Sequence, residues 1–443
     1  MLSAVGGRAG IMRVLVTGAY GLIGSAVLAR LYRDGHEVTG AGRSLAQARL
    51  RAPFAHWVEA DFRRLTLTGD WLAPLEGIEA VVNCVGVLQD GAYDDVRRVQ
   101  VAATTALFAA CERAGVRRVI HISAIGAARD GPTAFARSKA EAEDDLAGRP
   151  LDWAILRPGL VLAPAVYGGT ALLRGLAGLP FVTPLVQPEA RVQVVSVDDL
   201  AETVARCLQP EAKLNVKWDI AHPQALTLGA IVGALRGWLG FPPRPQWRVP
   251  RPLSLAIAGF ADVLGYLGWR SPARSTALRQ LAAGVVGEPA PWIEATGIEP
   301  KSFEEILRQQ PSSVADRWFA RLFLLKPLAI AALSLFWVLT GVITLGPGRA
   351  AAMEHLTAAG FPPGPAEAVL VAGSFFDYLL GLLLLVRPAT RFVLLTMLAV
   401  TAIYLLLGSA MAPQLWLDPL GPFLKIVPVM LATTFTLAIL DER

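Results

Sequence analysis

The sequence predicts a doubly wound, parallel α/β sheet followed by an all-α bundle of four transmembrane helices. Three observations predict it. Short apolar runs of strand length alternate with segments of helical period through the first half of the chain. A glycine-rich turn at residues 17–24, TGAYGLIG, joins the first of these runs to the first helical segment. Near the C-terminus, residues 327–345, 369–386, 392–410 and 422–440 are apolar, and each approaches the length needed to cross a hydrocarbon core, about 20 residues. A chain of 443 residues is long enough for two or three domains.

The first run, Val14, Leu15 and Val16, reads as a buried parallel strand. Ile23, Val27, Leu28 and Leu31 then recur at helical spacing, so a helix begins near Gly21. Strand, glycine turn and helix together make a dinucleotide site. Gly18 permits the tight turn, Gly21 lets a pyrophosphate approach the backbone, and Gly24 lets the helix pack on the strand. Tyr20, Leu22 and Ile23 complete the loop. The phosphates meet free N–H groups and the positive end of the helix dipole. About twenty residues on, where an NAD site carries an acidic residue, stand Gly42, Arg43 and Ser44. Arg43 either neutralises a 2′-phosphate or is solvated, and NADP(H) is favoured over NAD(H).

Residues 57–62 read as the third strand, with Asp61 and Phe62 at its end to border an adenine. Residues 80–87 read as the fourth, with Cys84, Val85 and Gly86 at the carboxyl edge where ligands of such sheets collect. Residues 96–114 are helical, with Val99, Ala103 and Leu107 on one face, and residues 117–123 form the fifth strand. Residues 151–161 form the sixth strand and its exit.

Hydrophobic residues make up 54% and charged residues 17%, which points away from a wholly soluble protein. The excess is local. From Leu322 onward six basic residues balance six acidic ones, so the net charge of +5 lies before the tail. No long Lys/Arg block occurs, which excludes nucleic acid as a partner and leaves phosphate ligands and an anionic membrane surface. Cys84, Cys111 and Cys207 fit no disulfide framework, which suits a reducing compartment. The five histidines are scattered, and no metal site is expected. Residues 1–11 lack the apolar core of a signal peptide and read as a disordered extension, or as an alternative start upstream of Met12.

The ordered set TGAYGLIG, ADF, NCVG, VIHISAIGA, FARSK and LRPG resembles the short-chain dehydrogenase/reductase superfamily, in its extended and atypical, epimerase-like branch. Within that branch it is similar to the dehydrogenase-like accessory subunit of respiratory complex I. The resemblance covers about the first three hundred residues and implies a Rossmann sheet with a small substrate lobe. It also implies a catalytic Ser, Tyr and Lys. The Lys matches Lys139, but the Tyr position is Phe135, and the Ser position is Ala124, or Ser123 if the register slips by one. Lys139 can still hold a ribose, whereas phenylalanine has no proton to give. Tyr167 is the alternative source of a hydroxyl. Pro158 and Val161 lie in the segment that the family packs beside the nicotinamide.

The nucleotide domain is expected over residues 12–320, with its substrate lobe mainly at 160–190 and 215–320. Residues 253–267, nearly uncharged, fit a core helix, the preferred reading, or a helix resting on a bilayer. Residues 321–443 form the membrane domain. Arg317, Arg321 and Lys326 precede its first span, and Arg387 and Arg391 separate the second from the third. The positive-inside rule then places the head and both termini in the cytoplasm, on a multi-pass protein of the inner (plasma) membrane. The tail resembles the DoxX-like four-helix family through FFDYLLG at 375–381 and LWLDPLGPFLK at 415–425. Asp377 and Lys425 are charges in or at the rim of the bundle, for function or for an ion pair. Two functions remain. One is an NAD(P)(H)-dependent oxidoreductase acting on a lipid-soluble substrate such as a quinone. The other is a catalytically degenerate nucleotide-binding module serving a membrane complex.

Overall fold

A computed structural model describes residues 10–440. The expected extension at residues 1–11 lies outside the described residues, apart from Gly10 and Ile11. Seven strands make one sheet: β1 (Arg13–Thr17), β2 (Glu37–Gly42), β3 (His56–Glu59), β4 (Ala80–Asn83), β5 (Arg118–Ile122), β6 (Asp152–Pro158) and β7 (Val216–Ile220). Their spatial order is β7-β6-β5-β4-β1-β2-β3, and every pairing is parallel. The chain winds outward in one direction from β1 to β3 and in the other from β4, so the switch point lies between β1 and β4. A crevice at the carboxyl ends of those two strands is where ligands enter such sheets.

Burial on both faces explains the unbroken apolar runs. Val14 and Val16 point into one core cluster while Leu15 points into the other. Helix α1 (Leu22–Arg33) lays Val27, Leu28 and Leu31 on the sheet. The helix expected over 96–114 is present, but Arg98–Ala103 form a π-helical turn before Thr104–Ala114. Helix α2 (Ala134–Ala147) starts at Thr133, whose hydroxyl accepts from Ala136 N–H at 3.1 Å. The third and fourth strands end earlier than the apolar runs, so residues 60–62 and 84–87 are loops at the ligand edge. The sixth run divides: after β6, Leu160–Leu162 leave the sheet and pair with Val194–Ser196. A Cβ at Gly159 would stand 2.4 Å from the Gln193 carbonyl oxygen, so glycine is required at that departure.

Two further two-stranded sheets and the helices Gly169–Ala177 and Leu228–Trp238 build a smaller lobe. Arg236 ties it together by donating to the Ala177 and Leu179 carbonyls at 2.8 and 2.7 Å. Helix α3 (Arg251–Tyr266) corrects the core reading of residues 253–267. Leu255 and Phe260 on it are 58% and 66% exposed, because its small residues, not its large ones, face the protein.

The chain divides into two compact units. One runs through Asp262 and resumes at Ser271–Arg317, and the other joins Val263–Arg270 to the residues from Trp318 on. In the second unit, α4 (Leu325–Leu345), α5 (Pro363–Leu383) and α6 (Arg387–Met411) are long and apolar enough to cross a membrane. The expected fourth span forms α7 (Pro422–Ala438), which is 17 residues long and carries Pro428 in its interior. It is apolar but shorter than those three helices, and Pro428 removes one helical hydrogen bond. Between the first two spans lies a helix the sequence reading did not anticipate, Arg349–Ala358.

α4 and α5 meet through small residues, as helices without a hydrophobic driving force do. The Ser334 hydroxyl donates to the Gly381 carbonyl at 2.7 Å, and a Cβ at Gly341 would come within 2.4 Å of the Ser374 carbonyl oxygen. Asp377 is buried and accepts from the Tyr404 hydroxyl at 3.4 Å, whereas Lys425 is exposed. An Asp377–Lys425 ion pair is therefore not the arrangement found.

Candidate functional site

The glycine turn has the shape of a phosphate cradle. Gly18 is in the left-handed region, φ 65°, and its carbonyl accepts from Gly21 N–H at 2.8 Å. A Cβ at Gly24 would lie 2.2 Å from the Gly18 oxygen, so α1 packs directly on the strand exit. Gly21 differs from expectation in one respect. A Cβ there would lie 2.9 Å from the Gly18 oxygen, so the turn itself already selects glycine before any phosphate does. Gly21 caps α1 without a side chain, and no acidic residue occupies the first turn. The N–H groups at Leu22 and Ile23 thus begin a helix whose positive end no carboxylate offsets.

Tyr20 closes the neighbouring corner. Its hydroxyl accepts from Arg43 N–H at 3.0 Å, and its ring lies where a side chain at position 42 would go, 2.2 Å from a Cβ built on Gly42. An acidic residue at position 42 is therefore excluded by the loop. Arg43 points outward and is exposed, and Ser44 starts the helix Leu45–Arg51. Asp61 is held by Arg63 at 2.6 Å, and those hydrogen bonds keep its carboxyl below the usual range against the opposing effect of burial. The Phe62 ring is buried edge-on against Trp71 at 4.8 Å. A cleft of about 450 Å³ lined by Arg63, Arg64, Tyr93 and Arg98 opens on this side.

At the carboxyl ends of β4 and β5 the polar groups form a chain. Thr17 donates to the Asn83 side-chain oxygen at 2.6 Å, which also accepts from Val85 N–H at 3.2 Å. The Asn83 amide nitrogen meets His121 Nδ1 at 3.1 Å. Burial, and then the charge of Lys139, push the His121 pKa well down, so its imidazole is neutral. Burial pushes the Cys84 thiol up to about 12, so Cys84 is no nucleophile.

Lys139 is 3% exposed, and its ammonium donates to the Ile122 carbonyl at 2.9 Å. A Cβ at Gly86 would lie 3.5 Å from that nitrogen, so Gly86 keeps the approach to it open. Burial lowers the Lys139 pKa to about 8, against the pull of Glu143 and Cys84. Gln100, on the π-helical turn, was missed in the sequence. Its amide donates to the Val87 carbonyl at 2.9 Å and the Ser138 hydroxyl at 3.0 Å, while its buried oxygen Oε1 has no hydrogen-bond partner among the described residues. A lone polar residue on the apolar face between Val99 and Ala103 was the available signal.

Phe135 is half-buried one turn before Lys139 on α2. Ser123 is buried and donates to Glu143 at 2.5 Å. Glu143 is fully buried and also receives Arg157 at 2.5 Å and Lys217 at 2.9 Å. The Ser123 hydroxyl is thus committed to an ion cluster, and Ala124 follows it at the strand exit. Pro158 ends β6 with its carbonyl accepting from Ile125 N–H at 3.2 Å, and Val161 is buried in the next short strand. Tyr167 stands apart, 38% exposed in the loop before Gly169–Ala177. The glycine cradle, the uncapped helix start and a buried ammonium at the same sheet edge fit a dinucleotide.

Comparison with known proteins agrees. Residues 18–211 match the family described as NAD(P)H-binding, and residues 334–434 match the DoxX-like family. A 3-diazoavenalumate denitrifying reductase of Streptomyces is 31% identical over 281 residues, covering 56% of this chain and 86% of that protein. An NAD(P)H azoreductase of Xenophilus azovorans is 27% identical over 234 residues, covering 52% of this chain and 75% of it. An uncharacterized protein of Mycobacterium tuberculosis is 27% identical over 252 residues, covering 57% of this chain, which spans only 26% of that relative's length. Among solved structures, the Bordetella bronchiseptica enzyme WbmG in complex with NAD superposes with a TM-score of 0.52 at 18% identity, over 68% of this chain and 94% of its own. That likeness bears on the fold alone. The chain belongs to the NAD(P)-binding, short-chain dehydrogenase/reductase-like family, and carries a C-terminal DoxX-like membrane domain.

Proposed function

We propose that this membrane-associated, reductase-like protein uses NADP(H) to reduce an electron-poor, lipid-soluble acceptor such as a quinone. One observation carries the reading: Lys139 is kept, buried and close to neutrality, one turn from a phenylalanine where the family places its proton donor. Such a pocket suits an acceptor that takes hydride without a protein acid at the reacting oxygen. The dinucleotide, when bound, supplies the hydride. Lys139 holds the ribose and, with a pKa of about 8, can hold or release a proton near neutral pH. Apolar spans in the same chain support an acceptor dissolved in the bilayer. The relatives whose printed names are reductases support the class of reaction.

The test is NADPH oxidation by the full chain in vesicles, with a short-chain quinone or a simple water-soluble carbonyl compound as acceptor. Turnover is expected with the quinone and background with the carbonyl. Phe135→Tyr should raise carbonyl reduction above background and leave quinone reduction unchanged. A wild type that reduces the carbonyl efficiently would overturn this account of position 135. The second reading is a binding module for a membrane complex. The commitment of Ser123 to Glu143 favours it, and it expects stoichiometric NADPH binding with no acceptor turnover.

The preference for NADP(H) rests on Arg43 and on the Tyr20 ring above Gly42. Arg43→Ala should weaken NADPH about tenfold, as expected for one exposed charge-assisted contact, and leave NADH unchanged in fluorescence titration. Gly42→Asp alone should bind neither nucleotide well, because Tyr20 fills the space. Tyr20→Ala with Gly42→Asp should favour NADH. An unchanged NADPH/NADH ratio in Arg43→Ala would remove Arg43 from this role.

A cytoplasmic head follows from Arg317, Arg321, Lys326, Arg387 and Arg391 on one side of the spans. Reporters active in the cytoplasm should work at Pro388 and fail near Pro362. The C-terminus decides whether α7 crosses: an active reporter there means four spans, an inactive one means three.

A further inference from the structure

Helix α3 wears its side chains the wrong way round for a water-facing surface. Ser254, Ala258, Ala261 and Gly265 form its buried stripe at helical spacing. Leu255, Phe260, Val263 and Tyr266 point outward, 58%, 66%, 60% and 70% exposed. Both faces are thus apolar, and the larger side chains are on the outside. Asp262 is the single charge between Pro252 and Trp269, and its 2.9 Å ion pair with Arg274 occupies it. So continuous an exposed apolar face marks an interaction surface.

What covers it follows from where the helix leads. The chain leaving α3 is fixed to the membrane unit. The Leu267 carbonyl accepts from Arg387 N–H at 3.0 Å, and Trp269 Nε1–H donates to the Leu385 carbonyl at 2.6 Å. Trp269 also packs against the apolar core of the spans, with the Arg387 guanidinium 5.4 Å from its ring centre. Leu385 and Arg387 lie in the turn that ends α5 and begins α6. Tryptophan and arginine at the end of two spans sit at the level of lipid headgroups. The C-terminal end of α3 is therefore held at the membrane surface.

We propose that α3 is an interfacial helix whose outward face lies in the headgroup–acyl boundary of the leaflet that its C-terminal end touches. The occupant of the face is lipid. Its continuity with the spans through Trp269 distinguishes it from a face kept for a second copy or a soluble partner. The inference stands whether or not the protein turns over its nucleotide.

The test uses the full chain in vesicles of phosphatidylcholine and phosphatidylglycerol, with a nitroxide at Leu255→Cys or Phe260→Cys, or at Ala258→Cys as contrast. The signal of the equally treated wild type, which carries Cys84, Cys111 and Cys207, is subtracted. At 255 and 260 collisions with oxygen should exceed collisions with a water-soluble nickel chelate several-fold, and at 258 both should be low. Nickel collisions that dominate at 255 and 260 would overturn the proposal. So would spin–spin broadening that vanishes on dilution with unlabelled protein, which would assign the face to a second copy. The outward labels decide by themselves if the inward variant does not fold.

Discussion

Glu143→Gln is expected to destabilise the nucleotide-binding unit by about 3–5 kcal/mol, the cost of breaking a buried ion cluster by removing one side of it. Glu143 is wholly shielded from solvent and receives Ser123 at 2.5 Å, Arg157 at 2.5 Å and Lys217 at 2.9 Å. Glutamine keeps the volume but removes the charge that both cations face. It also places an NH₂ group among donors. Thermal melting of the purified chain should fall by on the order of 10 °C, from the usual few degrees per kcal/mol in a domain of this size. Glu143→Gln should also lower the proton affinity of Lys139, since the Glu143 charge now supports it. A melting temperature within a degree or two of wild type would show that the cluster is not what holds α2 to β6 and β7.

Lys139→Met is expected to have opposite effects on stability and binding. In the folded chain the Lys139 pKa is lowered to about 8 from its ordinary 10.5. The unfolded chain therefore binds more protons between those values, and stability rises with pH across that window. Below about pH 8 the full penalty is present, and it amounts to about 3 kcal/mol. Methionine removes it but leaves the Ile122 carbonyl without its donor, at about 1 kcal/mol. The net gain at pH 7 is about 2 kcal/mol, and it should shrink as the pH approaches 10.5. NADPH affinity should fall about 10–100-fold with loss of the charged contact to the ribose. A methionine variant less stable than wild type at pH 7 would show that the buried ammonium is not a burden. Unaltered NADPH binding would remove Lys139 from the site.

How much of this was legible depended on distance along the chain. β1, the glycine turn and α1 could be read because strand, turn and helix start are adjacent, and Gly21 and Gly24 answer to Gly18 within a few residues, although Gly18 itself lies against Cys84 and Val85 on the next strand exit. Gly42 looked like a missing acidic residue, and the reason became visible only when Tyr20, twenty-two positions earlier, was found over it. Gln100 was missed because its one local signal, a polar residue on an apolar helix face, does not say what that side chain meets in space. Ser123 was ambiguous by one register, and the structure gave its hydroxyl to Glu143. That partner is twenty residues away and belongs to no motif read from the sequence.

The sequence by itself determined the first six strands of the sheet, the dinucleotide cradle and the presence of apolar segments of spanning length. Each depends on local periodicity, on glycine geometry or on the number of consecutive apolar residues. Tertiary structure decided the rest. Residues 253–267 are apolar around most of their circumference, so no pattern could say which face turns inward. Packing chose the small residues, because a close approach of backbones leaves no room for large ones. The Glu143 cluster gathers side chains from the exit of β5 and from α2, β6 and β7, and only the folded sheet brings them within hydrogen-bonding distance. A buried charge is tolerable when its partners converge in space, and convergence is a property of the fold that no stretch of sequence carries.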